Sequence, residues 1–305
     1  MKITRIVGSL LLFLITTTII FAQEPGLRFS VIDDRGAPYL GLRPQDIRIT
    51  LNKQVVQPTG VKIQDDSLNL LVLVDASVSE EHMLPFEKKA VEAFIDVALR
   101  AGKDRVGVAK FSNEISLVQD LSPDFAVVKS RLNAITFVRP PGYVGGGVVT
   151  AIPGPPPPKN APGGTSLFDS IDLSITALSR PAPSPGRKAI LVVSDGYVTS
   201  GEKRLRDVIE ASGRGRIPLY AIGIGDYAFE GVDERTLKRL TSETGGAVIF
   251  PKKSSKLDEQ VAKLANALRS SYVALFSEEI RGDVSIEILN PELKKKLRIL
   301  SPMRF

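Results

Sequence analysis

Apolar and polar positions follow two rhythms along this chain. Towards both ends the rhythm is two. Leu27-Arg-Phe-Ser-Val-Ile32, Asp46-Ile-Arg-Ile-Thr-Leu51, Asp283-Val-Ser-Ile-Glu-Ile-Leu289 and Leu297-Arg-Ile-Leu300 put alternate side chains on one face, as half-buried strands do. Between them, strands alternate with helices. Leu70 to Val74 is an unbroken apolar run without helical period, which reads as a strand buried on both faces of a parallel sheet. Met83, Phe86, Ala90, Phe94 and Val97 recur at helical spacing and are expected to face that sheet from a helix running from Glu80–Pro85 to about Arg100, with Pro85 in its first turn. Arg105–Phe111 and Ile115–Val118 are the next strands, Asp124–Ile135 a short helix, and Ser166–Leu178 a helix with Leu167, Ile171, Ile175 and Leu178 on one side. Arg187–Ser194 is a second buried strand, and segments 205–212, 218–225, 234–243, 246–250 and 257–270 continue the alternation. The pattern predicts a doubly wound α/β domain with a mostly parallel, Rossmann-like sheet. Neither flank has enough apolar residues to stand alone, so the two are expected to pair into one small β-sandwich.

These rhythms divide the chain into 23–66, the N-terminal β segment; 67–271, the α/β domain; and 272–305, the C-terminal β segment. Residues 1–22 read as a secretory signal peptide: Lys2 and Arg5, an apolar run from Ile6 to Phe21 interrupted by Thr16, Thr17 and Thr18, then Ala22 before polar residues. The mature protein is expected to start near Gln23 and to be periplasmic, cell-surface or secreted. An uncleaved anchor is the alternative, and with it the one route to a membrane, because the run approaches spanning length. Residues 137–164 stand apart through Pro140-Pro-Gly-Tyr-Val-Gly-Gly-Gly147 and Pro153-Gly-Pro-Pro-Pro-Pro158. A loop of that length is either a functional flap, with Tyr143 and Val144 as partner contacts, or an insertion without a role.

Composition narrows the chemistry. A formal charge of +6 is a mild excess with Lys294-Lys295-Lys296 as its one run, read as a solvated turn, so nucleic acid is not an expected partner. The absence of cysteine excludes disulfides, thiolate metal sites and cysteine nucleophiles, and a single histidine, His82, excludes multi-histidine zinc sites. His82 itself reads as a first-turn surface residue.

The candidate chemistry lies where the first buried strand ends, in Asp75-Ala-Ser77-Val-Ser79. Three oxygen-bearing side chains at alternate positions, at the carboxyl edge of a sheet, suit a hard cation, which needs further oxygens from distant loops. Gly163-Gly164-Thr165 opens a later helix and Asp195-Gly196 follows the second buried strand. This order, DxSxS, then a threonine after glycines, then Asp-Gly after a strand, resembles the metal-ion-dependent adhesion site of von Willebrand factor type A domains over roughly Leu68 to Ser270. The leading segment, Val31-Ile-Asp-Asp-Arg-Gly and Gly41-Leu-Arg-Pro-Gln-Asp-Ile47, is similar to one found in exported bacterial relatives of that family.

The resemblance implies that Asp75, Ser77, Ser79, Thr165 and Asp195 are metal ligands, with magnesium ahead of manganese and calcium. Neutral hydroxyls leave such a cation much of its charge and an open position, which in the family is filled by an Asp or Glu of a partner protein. The expected function is therefore non-enzymatic, metal-dependent adhesion or assembly. A metal-dependent hydrolase is the alternative, with Glu80, Glu81 and His82 as the adjacent candidates for a base, as is an envelope or secretion component whose metal is incidental. Two further motifs carry less. Gly223-Ile-Gly225-Asp-Tyr-Ala228 matches GxGxxA but sits late in the domain, where glycines let the chain turn at the sheet edge. Arg281-Gly282-Asp283 spells an integrin-recognised tripeptide but enters a predicted strand.

Overall fold

A computed structural model of the chain describes residues 26–34, 39–63, 65–145, 148–149, 163–180, 185–228, 230–269, 271–278 and 282–300. The leader expected over 1–22, most of the Gly/Pro-rich stretch (146–147 and 150–162) and Arg281 lie outside them. The first strands are β1 (Gly26–Asp33), β2 (Ile47–Leu51), β3 (Gln54–Val56) and β4 (Gly60–Ile63). The α/β part follows as β5 (Leu68–Asp75), α1 (Leu84–Ala98), β6 (Arg105–Phe111), β7 (Ile115–Ser122), α2 (Phe125–Asn133), the short pair β8 (Tyr143–Gly145) and β9 (Val148–Val149), α3 (Leu167–Ser179) and β10 (Arg187–Ser194). It continues through α4 (Leu205–Gly215), β11 (Leu219–Gly223), α5 (Glu234–Ser242), β12 (Val248–Ile249) and α6 (Leu257–Arg269). The chain then rejoins its first strands with β13 (Ser271–Leu275), β14 (Val284–Ile288), α7 (Pro291–Lys296) and β15 (Leu297–Leu300).

Six strands form the central sheet in the order β12-β11-β10-β5-β6-β7, parallel except for β7. Every residue of β5 is buried, as its apolar run requires of a strand covered on both faces. Its alternation sorts the two faces. Leu68, Leu70, Val72 and Val74 join one core with α1 and α6, while Leu71 and Leu73 join the other with α3, α4 and α5. The expected doubly wound, mostly parallel α/β architecture is thus the observed one.

Helix α1 opens on Leu84 and Pro85 and buries Leu84, Glu87, Ala90, Val91, Phe94, Ile95 and Ala98. Val97, expected to face the sheet, is 54% exposed. It lies about 100° round the helix from the centre of the buried arc, because Val91, Ile95 and Ala98 pull that centre away from it. The same arc carries Glu87 into the interior.

The flanking strands form two antiparallel sheets, β15-β1-β13-β4 and β14-β2-β3. They bury Leu27, Phe29, Val31, Ile47, Ile49, Tyr272 and Ala274 between them, a small β-sandwich. Tyr272 stacks on Phe29 at 5.5 Å, and its hydroxyl donates to the Tyr39 carbonyl at 2.6 Å and accepts the Leu42 N–H at 3.1 Å. The lysine run is not a turn but the last turn of α7. Asn290 caps that helix by accepting the Glu292 N–H at 3.0 Å, and the lysines sit at the C-terminal end, where the helix dipole favours cations. Among the described residues, no helix is long and apolar enough to cross a membrane.

Candidate metal centre

The chain leaves β5 towards β6 on one side and returns as β10 on the other. Such a reversal opens a crevice beyond the carboxyl ends of the strands. The parallel register, from Arg187 opposite Leu68 to Val193 opposite Val74, sets Ser194 beside Asp75. The Ser194 hydroxyl donates to Asp75 Oδ2 at 2.7 Å and accepts the Gly196 N–H at 3.0 Å, while Asp75 Oδ1 accepts the Ser77 N–H at 2.9 Å. Gly196 has φ of 85°, and a Cβ there would lie 2.8 Å from Leu237 Cγ, so the turn after Asp195 needs glycine.

Three carboxylates meet in this crevice. Asp75, Glu80 and Asp195 each offer an oxygen, all within 4.8 Å of one another, and none is more than 4% exposed. Glu80 closes a single 3-10 turn, Val78–Glu80, which folds its side chain back so that Oε1 accepts the Asp195 N–H at 3.2 Å. Ser77 and Ser79 touch through their hydroxyls at 3.1 Å, and the Ser79 hydroxyl also bonds the Asp195 carboxylate. Behind them, Glu87 is fully buried and neither of its carboxyl oxygens has a hydrogen-bond partner among the described residues.

So many acids in one dry place oppose each other's ionisation. Burial, then the charge of Asp195, pushes Asp75 up to about 7. Burial lifts Glu80 well above the carboxylate range, with Glu87, Asp75 and Asp195 adding to it, and lifts Glu87 likewise, with Asp75 and Asp195 adding. Asp195 is raised by burial as well.

Thr165 reaches this edge through its neighbours. Val78 N–H donates to the Gly163 carbonyl at 3.3 Å, and the Thr165 carbonyl accepts the N–H groups of Thr199 and Ser200 at 3.1 and 3.2 Å. Ser166 donates to Ser112 past the end of β6. Thr165 itself is 3% exposed. Of the two flap residues, Val144 is 65% exposed, whereas Tyr143 packs edge-on against Phe137 and bonds Glu81 through its hydroxyl. A cavity of about 350 Å³ opens beside the carboxylates, lined by Val78, Ser79, His82, Asp195, Asp226, Glu230 and Gly231. His82 is thus a half-exposed residue on the wall of that cavity.

Glu80 is the residue whose role sequence reasoning underrated, as a possible base only, and Glu87 was missed. The signal for Glu87 was an acid within an apolar helical arc. The hydroxyl and carboxylate oxygens, with no imidazole or thiolate among them, match what a hard divalent cation binds. A buried acidic triad whose Glu80 Oε2 has no hydrogen-bond partner among the described residues fits such an ion, since a cation bound there would offset the burial of the ionised carboxylates.

Neither a family model nor a curated protein sequence matches the chain. Solved structures do. The von Willebrand factor type A protein from Catenulispora acidiphila aligns at 15% identity with a TM-score of 0.50, over 81% of this chain and 50% of that one. The chain therefore spans about half the length of that protein. BatB from Bacteroides thetaiotaomicron aligns at 16% identity with a TM-score of 0.48, over 67% of this chain and all of the other. The chain has the von Willebrand factor type A fold.

Proposed function

We propose that this chain is an exported protein-binding module that holds a divalent cation at Asp75, Ser77, Ser79, Thr165 and Asp195 and uses it to capture a carboxylate of a protein partner. The observation that carries this reading is the meeting of buried carboxylates within 4.8 Å at the switch point of the sheet, with the hydroxyls of Ser77 and Ser79 against them. Oxygen donors from three separate segments are what a hard cation requires. The adjacent cavity supplies the approach. With Asp226 and Glu230 on its wall, an incoming carboxylate is repelled unless a cation is present, so capture is expected to depend on the metal. The cavity also favours keeping a hydrolase in view, because His82 lines it together with Ser79 and Asp195.

Asp75→Ala tests the site. It is expected to lower cation affinity about a hundredfold or more in calorimetric titration, with the circular dichroism spectrum unchanged. Unchanged affinity in a folded variant refutes the assignment. Capture of a partner from envelope extract is expected to vanish in chelator and return with added cation. General phosphatase and esterase assays separate the hydrolase reading.

A further inference from the structure

The sequence motif supplies two carboxylates, but the folded chain brings three together. Glu80 Oε1 is engaged by the Asp195 N–H, while Oε2 of the same carboxyl, fully buried, has no hydrogen-bond partner among the described residues. The Asp195 side chain lies beside it. Two carboxyl groups so placed attract one another only through something positive between them, a shared proton or a shared cation. We propose that Glu80 is a third carboxylate ligand of the bound cation, completing with Asp75 and Asp195 a calcium-type cage. This rests on the reading of the crevice as a cation site and adds to it a ligand, a preference and a consequence.

The distances allow it. Oxygens about 2.3–2.6 Å from one Ca2+ are at most about 5 Å apart, and the three carboxylates offer oxygens within 4.8 Å of one another. The donor count supports calcium as well. Three carboxylates, each offering one oxygen, with the hydroxyls of Ser77, Ser79 and Thr165, reach the roughly six oxygens that Ca2+ needs at least, whereas Mg2+ is usually held by about one or two carboxylates and keeps several waters. The position of Glu80 supports it too. The 3-10 turn brings the carboxyl back over the DxSxS loop, and the Asp195 N–H holds it there through an atom the cation does not need. The consequence concerns the partner. Three carboxylates overbalance a divalent charge, so Glu80 occupies from inside the position an external carboxylate would take, and a partner must displace it.

The test uses the full chain and metal ions alone. Calorimetric titrations with Ca2+ and Mg2+ are run on the wild type, Glu80→Gln, Glu80→Asp and Asp75→Ala, each checked for folding by circular dichroism. Luminescence lifetimes of bound Tb3+ in H2O and D2O count the waters on the ion. Gln keeps an oxygen for the Asp195 N–H, so the loop is expected to hold. The expected result is tighter binding of Ca2+ than of Mg2+ in the wild type, lost in Glu80→Gln through a fall of more than about tenfold for Ca2+, with about one extra water on Tb3+. Glu80→Asp, charged but shorter, is expected to recover part of the Ca2+ affinity. Wild-type Ca2+ affinity and hydration in Glu80→Gln, with binding lost in Asp75→Ala, would overturn the role of Glu80 and leave the cation site standing. Wild-type binding in Asp75→Ala would overturn both. Should Glu80→Gln fail to fold, Glu80→Asp decides, since an unaltered ion preference and hydration there would equally overturn the proposal.

Discussion

Ser194 serves two groups of the crevice at once, donating to Asp75 Oδ2 and accepting the Gly196 N–H. Ser194 and Asp75 are fully buried, so water does not replace either bond. Ser194→Ala leaves a carboxylate oxygen and a backbone N–H without partners, at about 1–3 kcal/mol for each such group. The expected outcome is a loss of about 2–6 kcal/mol in urea denaturation of the metal-free protein and a fall of about tenfold in cation affinity by titration, because Asp75 loses the group that orients it. A stability loss with unchanged affinity would make Ser194 a purely structural residue. In the sequence Ser194 is merely the last residue of an apolar run. Its bond to Asp75 depends on strand register, which no local pattern carries.

At the opposite edge of the sheet, Asp104 ties three elements together. It accepts the Leu68 N–H at the start of β5 at 2.9 Å, the Arg100 N–H beyond α1 at 2.8 Å and the Arg269 guanidinium at the end of α6 at 2.9 Å. Burial opposes its ionisation, but the Arg100 side chain, those two backbone N–H groups and the Arg269 charge outweigh it and hold Asp104 below the usual carboxylate range. A depressed folded pKa stabilises the protein above the unfolded value, about 3.9, and that contribution is lost as pH falls through the folded one. Asp104→Ala is expected to cost about 2–4 kcal/mol at pH 7 by chemical denaturation, a cost that shrinks as pH falls below the unfolded value of about 3.9. A cost that does not change with pH would assign the effect to packing. Arg100 is four residues away, but Leu68 and Arg269 lie in distant segments, so the local setting of Asp104 gave no hint of those two. The periodicity of α1 was legible in the same limited sense: it announced a helix, but the phase of the buried arc, which exposes Val97 and buries Glu87, came from the sheet beneath.

Two apolar cores flank the central sheet and a third fills the β-sandwich, and the third shares no residue with the other two. Removing residues 283–305 deletes β14, α7 and β15, taking the partners of β2 and of the end of β1. The expected result is a chain that loses β signal in circular dichroism and exposes Phe29 and Ile49 to a hydrophobic dye, yet keeps a cooperative melt and its cation affinity. Loss of the melt altogether would mean that the α/β domain depends on the sandwich for its stability.

At this scale the division between sequence and structure has a physical cause. Periodicity reports which face of each element is buried, so strands, helices, their order and the α/β class were legible, as was the candidate set at the ends of β5 and β10. Alternation in the flanks likewise announced strands that need each other, and the antiparallel pairings of β1 and β2 are how they meet. What periodicity does not carry is distance between segments. That Glu80 folds back onto Asp195, that Ser194 holds Asp75 and that Glu87 lies buried behind them follow from register, a one-turn 3-10 segment and the phase of a helix against the sheet. Each is a through-space relation created when the layers close, and it exists only in the tertiary structure.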